Sequence, residues 1–374
     1  MVLARHNTDW AATYLAALPA PADGQAELRA ALADQGLPSR RVESWRYTDL
    51  GKVLGVPAGS TAYAIEGEGA EISRDLSAVI AAAGDALPDS VSLDLLNRAA
   101  AQNGAVVRVA KSASLELALG AGHSRTLIQV AKGAELTLIE KHGAAEGLAQ
   151  HAVKIELAEG AVMRHLRVSA DKGAATRLLD LSVSVGRDAA YRHFTAVTGG
   201  ATTRTDTRVR LLGKGADVAM HGVANLSGAQ HLDTLTHVTH AVPDAHSNQA
   251  FYNVLGDKAR AIYQGKVRVE KGAIGTEAHQ LSKALLLNAG AEADHKPELE
   301  IFADAVECSH GATTGAIDAD QLFYLKARGV PEAEARALLI SAFLIAAVEA
   351  ADGVIPAGEL DGVKALFGGA DDLF

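Results

Sequence analysis

The chain has 374 residues, of which 48% are apolar and 21% charged, so it can bury a large core and is not a disordered tail. Its formal charge of −10 lacks the basic excess that a phosphate backbone requires, which argues against nucleic acid as a partner. One cysteine allows no disulfide framework and fits a reducing compartment. Arg5 and Asp9 stand where a signal peptide needs its apolar run, and the longest apolar stretch, near 337–348, is interrupted by Ser341 and is too short for a bilayer. The expectation is a cytoplasmic protein with no membrane partner.

Three regions are expected: a helical or mixed one over 1–103, a parallel β-helix over 104–315, and a helical one over 316–374. In the first, Trp10, Tyr14 and Leu18 recur every fourth position behind the caps Asn7 or Thr8, and Pro19 and Pro21 stop the run. A second helix begins near Asp23, carries Leu28 and Leu32 on one face and ends at Gly36. The segment E-S-W-R-Y-T-D-L, Glu43 to Leu50, is aromatic in a chain that is only 4% aromatic, and reads as a packing anchor.

From Gly104 the pattern changes to short alternating runs such as 135–139, 153–157, 179–185 and 266–269, each a strand with one buried face. A Gly-Ala or Asp-Ala pair recurs between them at 133–134, 160–161, 188–189, 215–216, 244–245 and 272–273, with the alanines 27, 28, 27, 29 and 28 residues apart. Constant spacing of that size predicts a stacked solenoid, and strand-like units make it a parallel β-helix. The hexapeptide rhythm of left-handed helices is missing, which favours the right-handed type; a sandwich or jelly roll with evenly spaced strands is the alternative. Such a fold exposes unpaired backbone at its terminal coils, which must be capped or used to bind another chain.

In the last region, Asp318 and Asp320 are cap candidates ahead of Leu322, Phe323 and Tyr324, and Pro331 starts a longer helix to about Ala350. Leu338, Leu339, Ala342, Phe343 and Ala346 form its apolar stripe, which serves either the core or a partner.

Several chemistries are excluded by motif. There is no G-x-x-x-x-G-K-[ST], no H-E-x-x-H and no G-x-S-x-G, and the G-K-G-A-D-V at Gly213 lacks the third glycine of a dinucleotide fingerprint. His231, His237, His240 and His246 crowd one stretch, but His237 and His240 fall on opposite faces of a strand, so they read as polar positions on the solenoid surface rather than a metal centre. The sole cysteine lies in V-E-C-S-H-G, where an extended backbone puts Val306, Cys308 and His310 on one face. The Cα atoms of Cys308 and His310 are then about 6.5–7 Å apart, close enough to share a metal ion or a proton. Three readings stay open: a small buried cysteine beside a strand-ending His-Gly, part of a metal site, or a nucleophilic Cys–His dyad. Gly311 is expected to mark the turn.

The run C-S-H-G-A-T-T-G-A-I-D-A-D-Q-L-F-Y-L-K-A-R-G-V, Cys308 to Val330, closely resembles the C-terminal signature of the SufD branch of the SufB/SufD family, components of the SUF machinery that assembles iron–sulfur clusters. E-S-W-R-Y-T-D-L and P-E-L-E-I-F-A-D, Pro297 to Asp304, are similar to that branch too, and the single cysteine favours SufD over SufB. The resemblance implies a right-handed parallel β-helix between helical regions, pairing with a SufB-like paralogue, and a SufC-like ABC ATPase bound through the C-terminal helices. It implies that Cys308 and His310 lie at the SufB–SufD interface where the nascent cluster forms, as metal ligands only together with ligands of the partner chain. The chain is then a non-catalytic scaffold with no cofactor tightly bound alone, working as a homodimer or as the mixed complex. Phe323, Tyr324 and Phe343 are the expected anchors for the ATPase. The rivals are a β-helix thiol hydrolase or acyltransferase using Cys308 and His310, and a purely structural homodimer.

Overall fold

The computed structural model describes residues 6–54, 62–83, 93–143, 146–170, 173–351 and 353–368. Arg5, within the N-terminal segment read above, lies outside the described residues. An N-terminal group of elements comes first: β1 (His6–Asn7), α1 (Thr8–Ala16), α2 (Gln25–Gln35), β2 (Leu37–Pro38), a 3-10 turn at Glu43–Trp45, α3 (Leu50–Val53), β3 (Tyr63–Ser73), α4 (Leu76–Ala81) and α5 (Leu93–Ala100). Asn7 caps α1 by accepting from the Trp10 backbone N–H at 3.0 Å, and Gly36 ends α2 with φ 73°.

The solenoid follows: β4 (Asn103–Leu119), β5 (Gly122–Val130), β6 (Glu135–His142), β7 (Leu148–Leu157), β8 (Val162–Ser169), β9 (Thr176–Val185), β10 (Ala190–Val197), β11 (Thr202–Leu211), β12 (Asp217–Leu226), β13 (His231–His240), β14 (His246–Leu255), β15 (Arg260–Val269), β16 (Glu277–Leu286), β17 (Glu292–Ile301) and β18 (Glu307–Ala316). The odd-numbered strands from β5 pair in parallel into one sheet and the even-numbered ones from β6 into a second; β4 is long enough to join both, and β3 runs antiparallel to it. The result is a mainly β, parallel solenoid of about 7 turns, with helices at both ends of the chain.

Alternation of apolar and polar residues builds the interior. Val183, Val209, Val238 and Val267 are register partners in four successive odd strands, and each is fully buried. A valine so buried contributes roughly 1.5–3 kcal/mol relative to exposure. The corners explain the sequence repeat. Gly133, Gly160, Asp188, Gly215 and Asp244 all have φ between 51° and 75°, a left-handed turn that Gly and Asp tolerate, and the alanine after each is at most 1% exposed inside the core. The sixth pair repeats the turn: Gly272 has φ 87°, and Ala273 is 0% exposed and donates its N–H to Glu270 O at 3.1 Å, as Ala134 does to Ala131 O. A second left-handed glycine, Gly275 with φ 70°, follows it and adjoins Asp244, which donates its backbone N–H to Ile274 O, while His246 pairs with Glu277.

The N-terminal group packs outside the odd sheet. Trp45, 1% exposed, lies 4.0 Å beneath the Arg204 guanidinium, and Thr48 donates to Asp233 Oδ2 at 2.6 Å. The anchor reading of Glu43 to Leu50 describes this contact. The C-terminal α6 (Ala319–Ala327), α7 (Glu332–Glu349) and α8 (Leu360–Gly368) follow the last coil, and α7 and α8 cover the even sheet over Leu166, Phe194, Ala196, Val223 and Val254. The face α7 buries is Ala337, Ile340, Leu344, Ala347 and Val348, while Leu338 is 50% exposed. The stripe read from the sequence is therefore rotated; this helix is apolar on nearly every side, so periodicity alone did not select the buried one. Among the described residues no helix is long and apolar enough to cross a membrane.

Candidate functional site at the open end of the solenoid

Among the described residues the last coil is unpaired on its outer side: β17 bonds only to β15, and β18 only to β16. On β18 the residues that face the interior are fixed by register. Cys308 lies beside Ala278 and His310 beside Gln280, both of whose side chains are buried and inward. Cys308 is half-buried against the apolar interior, and that burial pushes its thiol up, opposed in part by a hydrogen bond to the backbone of Ala278. His310 is exposed. The shared face of Val306, Cys308 and His310 is as the spacing predicts, but Gly311 does not end the strand, which continues to Ala316. Across the mouth, His295 of β17 bonds Ser282 Oγ at 2.8 Å through Nδ1 and Thr314 Oγ1 at 3.0 Å through Nε2, tying the two sheets together.

Deeper in, the lumen is polar in a way the sequence did not announce. Glu140 on β6 accepts from His142 Nε2 at 2.6 Å, His165 Nε2 at 2.7 Å, and Arg167 Nε and Nη2 at 2.8 and 3.1 Å. Burial alone would raise this carboxyl, but the Arg167 charge and the imidazole N–H groups outweigh it and hold Glu140 well below the carboxylate range. Burial lowers His142, His165 and His193, so the three rings are neutral. Tyr191 O–H donates to His165 Nδ1 at 2.9 Å, and His193 donates Nδ1–H to the His165 carbonyl at 3.2 Å while Nε2 accepts from Thr195 at 2.9 Å. Every member has a role consistent with one tautomer. Above this cluster a cavity of about 30 Å³ is lined by Thr195, Thr205, Thr207, Met220 and Phe251 among others.

The remaining sequence candidates are dispersed. His231 bonds Thr48 Oγ1, His237 sits half-buried on the outer odd face, His240 is buried and bonds Ser247, and His246 pairs with Glu277. His240 is thus an interior residue rather than a surface one. Among the described residues no group of three or more His, Cys, Asp or Glu side chains gathers to hold a metal ion. Phe323 and Tyr324 on α6 are 72% and 57% exposed. Phe343, expected with them as a partner anchor, is half-buried and packs edge-on against Tyr252 of β14, with ring centroids 5.8 Å apart.

Fold and site together define the class: a parallel β-solenoid between helical regions, carrying a thiol and an imidazole on its unpaired terminal strand. Residues 111–343, well over half of the chain, match the family described as SUF system FeS cluster assembly, SufBD core domain. The chain belongs to that family of iron–sulfur cluster assembly proteins. It is similar to the iron–sulfur cluster assembly protein SufD of Escherichia coli, with 32% identity over 232 residues, covering 61% of this chain and 55% of the relative. A SufBD family protein of Synechocystis is 31% identical over 230 residues, 59% of this chain and 51% of that one, and one from Mycobacterium tuberculosis is 38% identical over 167 residues, 42% of each. The chain spans about half the length of the relatives it matches.

Proposed function

We propose that this chain is a scaffold subunit of an iron–sulfur cluster assembly complex: its open end pairs with a SufB-like paralogue, its C-terminal helices bind a SufC-like ABC ATPase, and a nascent cluster forms at the shared interface. The observation that carries the reading is the position of Cys308 and His310 on a strand whose outer edge has no neighbour among the described residues. Unpaired strand edges are templates for another chain. A thiolate and an imidazole are iron ligands, and two of them leave at least half of a cluster's positions to a partner. The cluster is cargo, assembled and passed on.

For the ATPase, the support is the exposure of large apolar side chains on the C-terminal helices, Phe323 and Tyr324 on α6 and Leu338 on α7. Phe343, half-buried against Tyr252, offers less of its ring to a partner than Phe323 and Tyr324 do. The enzyme reading is weaker on its own chemistry: a thiol pushed up by burial is a poor thiolate. Co-expression with a SufB-like chain and a SufC-like ATPase tests the proposal. A stable mixed complex supports it; recovery of the chain only as a homodimer through the same end, with no ATPase bound, refutes it in favour of the structural reading.

A further inference from the structure

In the column of inward residues ending at His310, one buried side chain has neither of its polar atoms bonded among the described residues. His165, His193, Met220, Gln249, Gln280 and His310 are register partners in successive even strands, all on the inward side. His165 and His193 are bonded at both ring nitrogens, and Gln249 is half satisfied: its Oε1 accepts from the Tyr263 hydroxyl at 3.4 Å while its Nε2 meets no partner among the described residues. Gln280 differs: it is 3% exposed, yet neither its Nε2 nor its Oε1 meets a hydrogen-bond partner. A buried polar group left unmade costs about 1–3 kcal/mol. Its neighbour toward the open end is His310, one parallel strand away at a spacing of roughly 4.8 Å and exposed.

We propose that Gln280 is a positioning residue for His310. Its Oε1 accepts the N–H of one imidazole nitrogen, which fixes the tautomer and leaves the lone pair of the other nitrogen directed out of the open end. The purpose of this arrangement rests on the reading of His310 as a cluster ligand; the contact itself does not. Metal-binding histidines usually donate their second ring N–H to a carbonyl or carboxylate, which orients the ring and makes the ligating nitrogen more basic. Here the acceptor comes from the coil beneath, so the chain presets its own ligand before any partner closes the mouth. A neutral amide does this without adding charge beside a half-buried thiol.

The test is the tautomer of His310 in the full chain, read from two-bond nitrogen–proton spectra of protein labelled with ¹⁵N-histidine and assigned by the signal lost in His310→Ala. The expected result is a single tautomer in the wild type and in Gln280→Glu, which keeps an acceptor oxygen, and a mixture of both in Gln280→Leu. Identical tautomer populations in the wild type and Gln280→Leu overturn the proposal. Should Gln280→Leu not fold, the wild type alone decides: a nuclear Overhauser contact between the Gln280 amide protons and the His310 ring supports the contact, and its absence refutes it. Cluster assembly is not read in this experiment, so a failed scaffold reading with an intact His310 tautomer is recognisable as such.

Discussion

Removing Glu140 should destabilise the solenoid more than any surface change. This one carboxylate accepts four N–H groups from His142, His165 and Arg167, all at most 4% exposed. In Glu140→Ala the Arg167 charge stays buried without its counter-ion, and breaking a buried pair in this way costs about 3–5 kcal/mol. The two imidazole N–H groups lose their acceptor as well, at roughly 1–3 kcal/mol each where water does not reach them. The double variant Glu140→Leu with Arg167→Met removes both charges and should recover much of the loss, because apolar replacement of a buried pair is often neutral. Urea unfolding followed by circular dichroism gives the total. Native-state hydrogen exchange locates it, and the loss of protection should centre on β6, β8 and β10, since a solenoid opens locally. A cost below about 1 kcal/mol for Glu140→Ala would show that the network is solvated and the reasoning wrong.

Acid should weaken the fold from near pH 6.5. His123, His221 and His240 are lowered by burial to about 4 and His151 to about 3, so the unfolded chain takes up protons that the folded one refuses. Stability then falls as pH drops below the unfolded value, by about 1.4 kcal/mol per histidine per pH unit, measured as urea midpoints from pH 8 to pH 4. Glu140 adds its share only at lower pH: its folded pKa is depressed, so its contribution is present above the unfolded value and is lost as pH falls through the folded one. Gly160→Ala should cost about 1–2 kcal/mol from left-handed strain alone, because the added Cβ meets only Gly133 backbone at 3.9 Å. Gly160→Asp should cost less, as Asp188 and Asp244 already occupy the equivalent corner; chemical denaturation compares the two. Phe323→Ala and Tyr324→Ala should leave folding within about 0.5 kcal/mol of wild type, yet lower affinity for the ATPase about tenfold or more by calorimetry.

What was legible in the sequence is what local chemistry dictates. Most corners were readable because a left-handed residue followed by a small inward one favours Gly or Asp, then Ala; Gly275-Thr276 and Ala305-Val306 depart from that pattern. The sixth pair, Gly272-Ala273, also forms such a turn, and the second left-handed glycine behind it, Gly275, has no counterpart in the repeat. Cys308 and His310 were placed on one face by the period of two. Gln280 was not seen, since its meaning comes from the strand next door, 30 positions on at His310. The Glu140 cluster was hidden for the same reason: its partners His165 and Arg167 lie one coil away, and within a single strand each looks like an ordinary polar position. The face of α7 went wrong because nearly all its residues are apolar.

The central claim is that the open end is half of a shared cluster site, and anaerobic iron and sulfide reconstitution tests it most directly. The assay compares the isolated chain, its complex with a SufB-like chain, and that complex carrying His310→Ala or Cys308→Ser, with complex assembly checked for each. The account predicts a colourless isolated chain, a cluster on the wild-type complex, and a larger loss for His310→Ala than for Cys308→Ser, because the exposed imidazole is the readier ligand and the thiol is pushed up by burial. A stable stoichiometric cluster on the isolated chain, or a complex that assembles its cluster unchanged with His310→Ala, would contradict it.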